Sequence, residues 1–211
     1  MVSQPASEVY FTHDEVSALA IAVGGRGTLI LTLAYCGLRW GKTVGLRVKD
    51  LDMLRRRINV TVNAVEVGDR IEVGTPKTHK RRSVPFPALL SLPLAQQCEG
   101  KPGDDLVFSS RHGTHERRWH NAHGWFPAAV SAGGLPPITP HTLRHTAAGL
   151  AVSAGANVKA VPRMLGHASA SMTPDVYSDL FDDDLDAVAE CLGHGLAHTV
   201  VGRLWASRAE K

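Results

Sequence analysis

Cysteine is scarce in this chain of 211 residues: Cys36, Cys98 and Cys191 stand far apart, odd in number and outside any Cys-x-x-Cys pair. That excludes a disulfide framework and a cysteine zinc site, and leaves small buried or half-buried thiols. Long apolar runs are missing too. No stretch approaches the roughly eighteen consecutive apolar residues of a membrane-spanning helix, and the opening MVSQPASEVY lacks the basic-then-apolar profile of a signal peptide. A soluble, cytoplasmic protein without membrane contact is expected. Repeats, low-complexity tracts and interdomain linkers are also absent. What is present, 44% hydrophobic and 20% charged residues, suits one globular domain and excludes disorder or collagen-like structure.

The net charge of +3 is a poor argument for a polyanionic partner, but its distribution is informative. Between Arg39 and Arg82 there are twelve basic residues against five acidic ones, a balance of +7. From Ser171 onward three basic residues face eight acidic ones, a balance of −5. A basic middle and an acidic end suit a phosphate-binding surface with a tail that avoids it.

Thr12-His13-Asp14-Glu15 reads as a capping box before the apolar run Val16 to Val23, so a helix starts there. The glycines 24, 25 and 27 break it, and Thr28 to Tyr35 forms a second apolar helix ending near Gly37. Arg57 to Val67 alternates apolar and polar positions, Gly68-Asp69 turns, and Arg70 to Val73 resumes the alternation as a hairpin. A short strand at Ser83 to Pro85 completes an expected three-stranded antiparallel sheet, with Thr75 to Arg82 as its exposed basic turn. The remainder reads mostly helical. Thr139 and Pro140 open a helix that Gly155 closes, and a shorter one carries Val158 to Leu165 with Pro162 as a kink. The expected fold class is α+β, mostly helical with a small sheet: a flexible segment 1–10, a domain 11–192 and a tail 193–211.

His141-Thr142-Leu143-Arg144-His145 places His141, Arg144 and His145 at i, i+3 and i+4, on one face of an opening helical turn where backbone N–H groups and a guanidinium can hold an anion. Its company is Cys36-Gly37-Leu38-Arg39, Thr75-Pro76-Lys77, Leu165-Gly166-His167 and, ten residues further, Tyr177. This ordered set resembles the catalytic domain of the tyrosine recombinases, the phage-integrase family, over roughly Val9 to Leu192.

The resemblance implies site-specific recombination of double-stranded DNA without metal or other cofactor. Tyr177 would attack phosphorus to give a 3′-phosphotyrosyl link, and Arg39 and Arg144 would grip the non-bridging oxygens. Lys77 would give a proton to the departing 5′ oxygen, while His141 and His167 would hydrogen-bond the phosphoryl oxygens and help position or deprotonate Tyr177, with His145 supporting them. Arg47, Lys80, Arg81 and Arg82 are the expected backbone-phosphate contacts. Family members act as tetramers on paired sites, often exchanging a C-terminal segment, and accessory DNA-bending proteins are candidate partners.

Two departures qualify this. The family usually carries an acidic residue three positions after the first arginine, where this chain has Lys42, an ammonium that would repel Arg39. About ten residues precede the first helix, where the family has a separate helical DNA-clamping domain, so weak affinity for DNA is expected. Both leave open a catalytically impaired DNA-binding or partner-binding remnant. A metalloprotein is the third reading, from His112, His115, His120 and His123 in one loop and His194 and His198 at i, i+4; no cysteine or placed carboxylate completes a recognised ligand set.

Overall fold

The computed structural model describes residues 10–74, 82–119, 124–157, 160–166 and 182–203. Its centre is α2 (Gly27–Cys36), buried along its whole length from Thr28 onward because nearly every residue there is apolar. Helix α1 (His13–Ala22) packs on it after starting at the expected capping box: Glu15 N donates to the Thr12 hydroxyl, and Thr12 N donates to the Glu15 carboxylate at 2.8 Å. Gly37 ends α2 in the left-handed region, with φ of 61°, and lets the chain turn directly into α3 (Trp40–Val44).

The sheet differs from the sequence reading. Residues 57–67 do not form one strand of a single sheet. Strand β2 (Arg57–Val60) lies between β1 (Leu51–Asp52) and β5 (Arg82–Pro85), all antiparallel, while β3 (Asn63–Val67) and β4 (Arg70–Gly74) make a separate hairpin. The break falls at Thr61 and Val62, where the Thr61 hydroxyl donates to buried Asp50 at 2.9 Å and draws the chain out of register. Ile58 and Val60 then face the core, whereas Ala64 packs on α3 beside Gly41 and Gly45. A composition pattern reports alternation, not which partner each half pairs with.

Helix α4 (Ser91–Cys98) follows β5, and α5 (Trp125–Ala132) and α6 (Pro140–Ser153) complete the layer around α2. Thr139 caps α6 and Pro140 occupies its first turn, as expected, with Thr142 in place of an acidic partner. Helix α7 is described over Ala160–Leu165, within the expected Val158 to Leu165, whose first two residues lie outside the described ones. The last helix, α8 (Asp182–Ala197), runs through residue 193, and Leu196 and Val201 are buried in the chain's own core. Val201 N donates to the Ser17 hydroxyl of α1, and Glu190 of α8 pairs with Arg56 at 2.8 Å. No described helix is long and apolar enough to cross a membrane.

Where α8 crosses α1, Gly195 leaves the space that the His13 ring fills; a Cβ there would lie 2.0 Å from Nε2. His13 Nδ1 is 2.8 Å from the buried Tyr35 hydroxyl, and burial holds the His13 pKa below its ordinary 6.5. The unfolded chain therefore binds more protons than the folded one below pH 6.5, so this contribution to stability is complete above that pH and shrinks as pH falls through the folded value. His115 and His141, also lowered by burial, act in the same direction. Melting temperature followed from pH 8 to pH 5 should fall less steeply in His13→Gln than in the native protein; parallel curves would refute the His13 share.

Candidate active site

Four cations converge where α2, α3, α6, α7 and β5 meet. Arg39 caps the N-terminus of α3 and is exposed; Lys42 follows one turn later and is half-buried. Arg144, only 3% exposed, sends Nη1 to Gly37 O at 2.5 Å and Nη2 to Leu165 O at 2.7 Å. Arg82 donates to the Leu165 and Met164 carbonyls, so Leu165 O receives both guanidiniums. These carbonyls belong to the C-terminal ends of α2 and α7, where unpaired acceptors and the negative ends of helix dipoles attract cations. Backbone carbonyls, and no carboxylate among the described residues, thereby orient the two arginines.

The electrostatics follow from this crowding. Burial first, then the Arg39 charge, lowers Arg144 to about 10. Arg82 falls to about 10 through burial and the Arg144 and Arg39 charges. Lys42 is pushed down to about 8 by burial and by Arg82, Arg39 and Arg144. The arginines stay protonated at neutral pH, and the pocket is built for an anion.

The histidines of the α6 motif are placed differently from Arg144. His141 and His145 are exposed, their ring centroids 4.8 Å apart and edge to face, whereas the guanidinium between them in sequence turns inward. The expectation of three side chains projecting together thus holds for two. Burial, His145, Arg144, Arg39 and Arg118 all lower the His141 pKa, which leaves a neutral ring able to share a hydrogen bond with an oxyanion.

Arg82 also departs from its expected place on an exposed basic turn. It begins β5 and reaches into the pocket, because the carbonyls of Met164 and Leu165 satisfy its fork there. Arg47 is partly exposed beside Asp104, 3.4 Å from its carboxylate. Lys77, Lys80 and Arg81, and likewise His167 and Tyr177, lie outside the described residues. Of the other tyrosines, Tyr35 is buried and its phenol pushed up by burial, and Tyr10 lies against Gly149 of α6.

Sequence reasoning missed Arg118. It shares with Arg39 a cavity of about 260 Å³ that Trp40, Asn63, Glu66 and Glu116 also line, between α3, the β3–β4 hairpin and the segment leading to α5. Beneath it, Trp40, Trp119, Trp125 and Phe126 form one aromatic cluster. Arg26 closes the far side, 2.7 Å from Glu116 and 4.8 Å from the centroid of Trp125. The signal was Glu116-Arg117-Arg118-Trp119, charge interleaved with an aromatic. Among the described residues no three His, Cys, Asp or Glu side chains converge as metal ligands.

A small sheet and a hairpin set against helices make the catalytic-domain fold of tyrosine recombinases. The chain belongs to the phage integrase family, whose sequence profile matches residues 10–184. It is 30% identical over 174 residues to a tyrosine recombinase of Pseudothermotoga lettingae, covering 81% of this chain and 55% of that protein. It is also 30% identical over 168 residues to the transposase from transposon Tn916 of Enterococcus faecalis, covering 71% and 41%. Among solved structures, the Tn1549 transposon integrase in complex with circular intermediate DNA matches with a TM-score of 0.68 at 22% identity, over 88% of this chain and 69% of that one. The chain spans about half the length of the curated relatives it matches.

Proposed function

We propose that this domain cleaves and rejoins double-stranded DNA through a covalent phosphotyrosyl intermediate. The observation that carries the reading is the Arg144 fork, fixed by Gly37 O and Leu165 O beside Arg39 in a pocket of crowded cations. Arg144 spends only part of its five N–H donors on carbonyls, and its remaining donors together with those of Arg39 would take the non-bridging phosphoryl oxygens. Tyr177 would give its phenolic proton to His141 or His167 and form the new P–O bond, while the 5′ oxygen leaves and takes its proton from Lys77. His141 and His167 would hydrogen-bond the oxygens on which charge grows, and His145 would hold His141 in place. The bond energy stays in the 3′-phosphotyrosine, so a second strand's hydroxyl can reverse the step without ATP or a metal.

Arg47, Lys80 and Arg81 would contact flanking phosphates, and Arg82 would serve inside the pocket rather than along the duplex. A tetramer on paired DNA sites, accessory DNA-bending proteins and a cytoplasmic setting complete the proposal.

The test uses nicked duplexes tiled across the DNA flanking the chain's own gene. The expected result is a protein–DNA adduct that survives denaturing detergent and vanishes in Tyr177→Phe. Duplex binding without adduct on any tile would assign the chain to DNA binding alone.

A further inference from the structure

The pocket holds one cation that the proposed chemistry leaves without a task. Lys42 lies one turn beyond Arg39, its N–H donating to Arg39 O at 2.9 Å, so the two side chains are neighbours on α3. Arg82 reaches the same place from β5 and Arg144 from α6, each close enough to act on the Lys42 charge. Among the described residues, no carboxylate forms an ion pair with Lys42, Arg82 or Arg144. Glu66, from the hairpin packed on α3, lines the cavity on the Arg39 side, and Cys36 at the end of α2 is kept a neutral thiol by burial.

A second observation is independent of charge. The Nε–H of Arg82 is buried with no acceptor among the described residues, an omission folded proteins seldom tolerate without a ligand. Crowded cations, a missing counter-charge and a missing acceptor have one common remedy, an oxyanion with several acceptor oxygens.

We propose that Lys42 is a direct ligand of the anion held between Arg39, Arg82 and Arg144, and so supplies the pocket with a fourth cation. That the anion is a DNA phosphodiester rests on the function proposed above; the ligation itself does not. In the empty pocket the Lys42 amine, at about 8, is charged only in part near that pH. An arriving anion reverses the local field and restores the full ammonium, so anion binding draws a proton from solution.

Sulfate is the suitable probe, because its own charge is constant between pH 6 and pH 9. Calorimetric titration of the full chain with sodium sulfate at pH 8, in two buffers of different ionisation enthalpy, should show a net proton uptake on sulfate binding. Lys42→Met should abolish the uptake and weaken sulfate binding about tenfold, while Lys42→Arg should keep the affinity and lose the uptake. Thermal unfolding without sulfate should leave both variants folded, since neither loses an ion pair. Sulfate bound without proton uptake, an uptake unchanged in Lys42→Met, or no sulfate binding would each overturn the assignment. A duplex-binding measurement in rising salt runs beside it: failure to hold DNA at low salt, with the sulfate result intact, sinks the DNA reading and leaves Lys42 as an anion ligand.

Discussion

Arg144→Ala should reduce the rate of DNA cleavage by about a hundredfold or more while leaving a folded protein. The rate loss follows from the fork: two guanidinium nitrogens are fixed on Gly37 O and Leu165 O, so the remaining donors are preorganised and no reorganisation is needed as charge builds on phosphorus. The structural loss is smaller. Leu165 O keeps the Arg82 donor, and only Gly37 O loses its guanidinium, a penalty of about 1–2 kcal/mol that relief of Arg82–Arg144 repulsion offsets in part. Arg144→Lys separates charge from geometry. An ammonium retains the positive charge but cannot span two carbonyls belonging to different helices and still present a planar pair of donors, so it should recover less than about a tenth of the native rate. Single-turnover cleavage together with thermal unfolding checks both. A lysine variant near native rate would show that charge alone suffices, and an alanine variant that does not fold would show that the fork is chiefly a structural clamp.

Much of the scaffold was legible because local chemistry sets it. The Thr12 box, the arrest of α2 at Gly37 and the Thr139-Pro140 start of α6 are each decided by two or three adjacent residues. The sheet was not, because the choice between β2 pairing with β5 and continuing into β3 depends on Asp50, in the turn before β1, holding the Thr61 hydroxyl. Within the site, the approach of Arg39, His141 and Arg144 followed from an ordered set of motifs. The inward turn of Arg82 and the burial of Arg144 did not, for their partners are the main-chain carbonyls of Gly37, Met164 and Leu165. A carbonyl has no letter in the sequence, so a cation that depends on one looks like a surface charge until the helix ends are in place. Lys42 was visible as a departure, but its meaning required the cations from β5 and α6 to be placed around it.

Gly37→Ala should destabilise the protein by about 3 kcal/mol, and Gly68→Ala by only about 1 kcal/mol. The two glycines share nearly the same backbone, φ of 61° and 59°, so the strain of placing an L-residue in the left-handed region is common to both. Their surroundings differ. At Gly68, in the β3–β4 turn, an added Cβ meets nothing within 4 Å. At Gly37 it would lie 2.4 Å from Leu165 Cδ2 and 3.3 Å from Ala147 Cβ, so the buried Leu165 side chain must repack against the end of α2. Leu165 also carries the carbonyl that Arg82 and Arg144 share, and Gly37 O holds Arg144, so strain at this contact falls on the residues that orient both arginines. Stability and chemistry therefore fall together at Gly37, and cleavage per folded molecule should drop at least about tenfold there while remaining native in Gly68→Ala. Urea unfolding gives the two free energies and single-turnover cleavage the two rates. Equal destabilisation at both positions would mean that Leu165 repacks without cost, and a native rate in Gly37→Ala would mean that the arginines do not depend on the packing at this helix end.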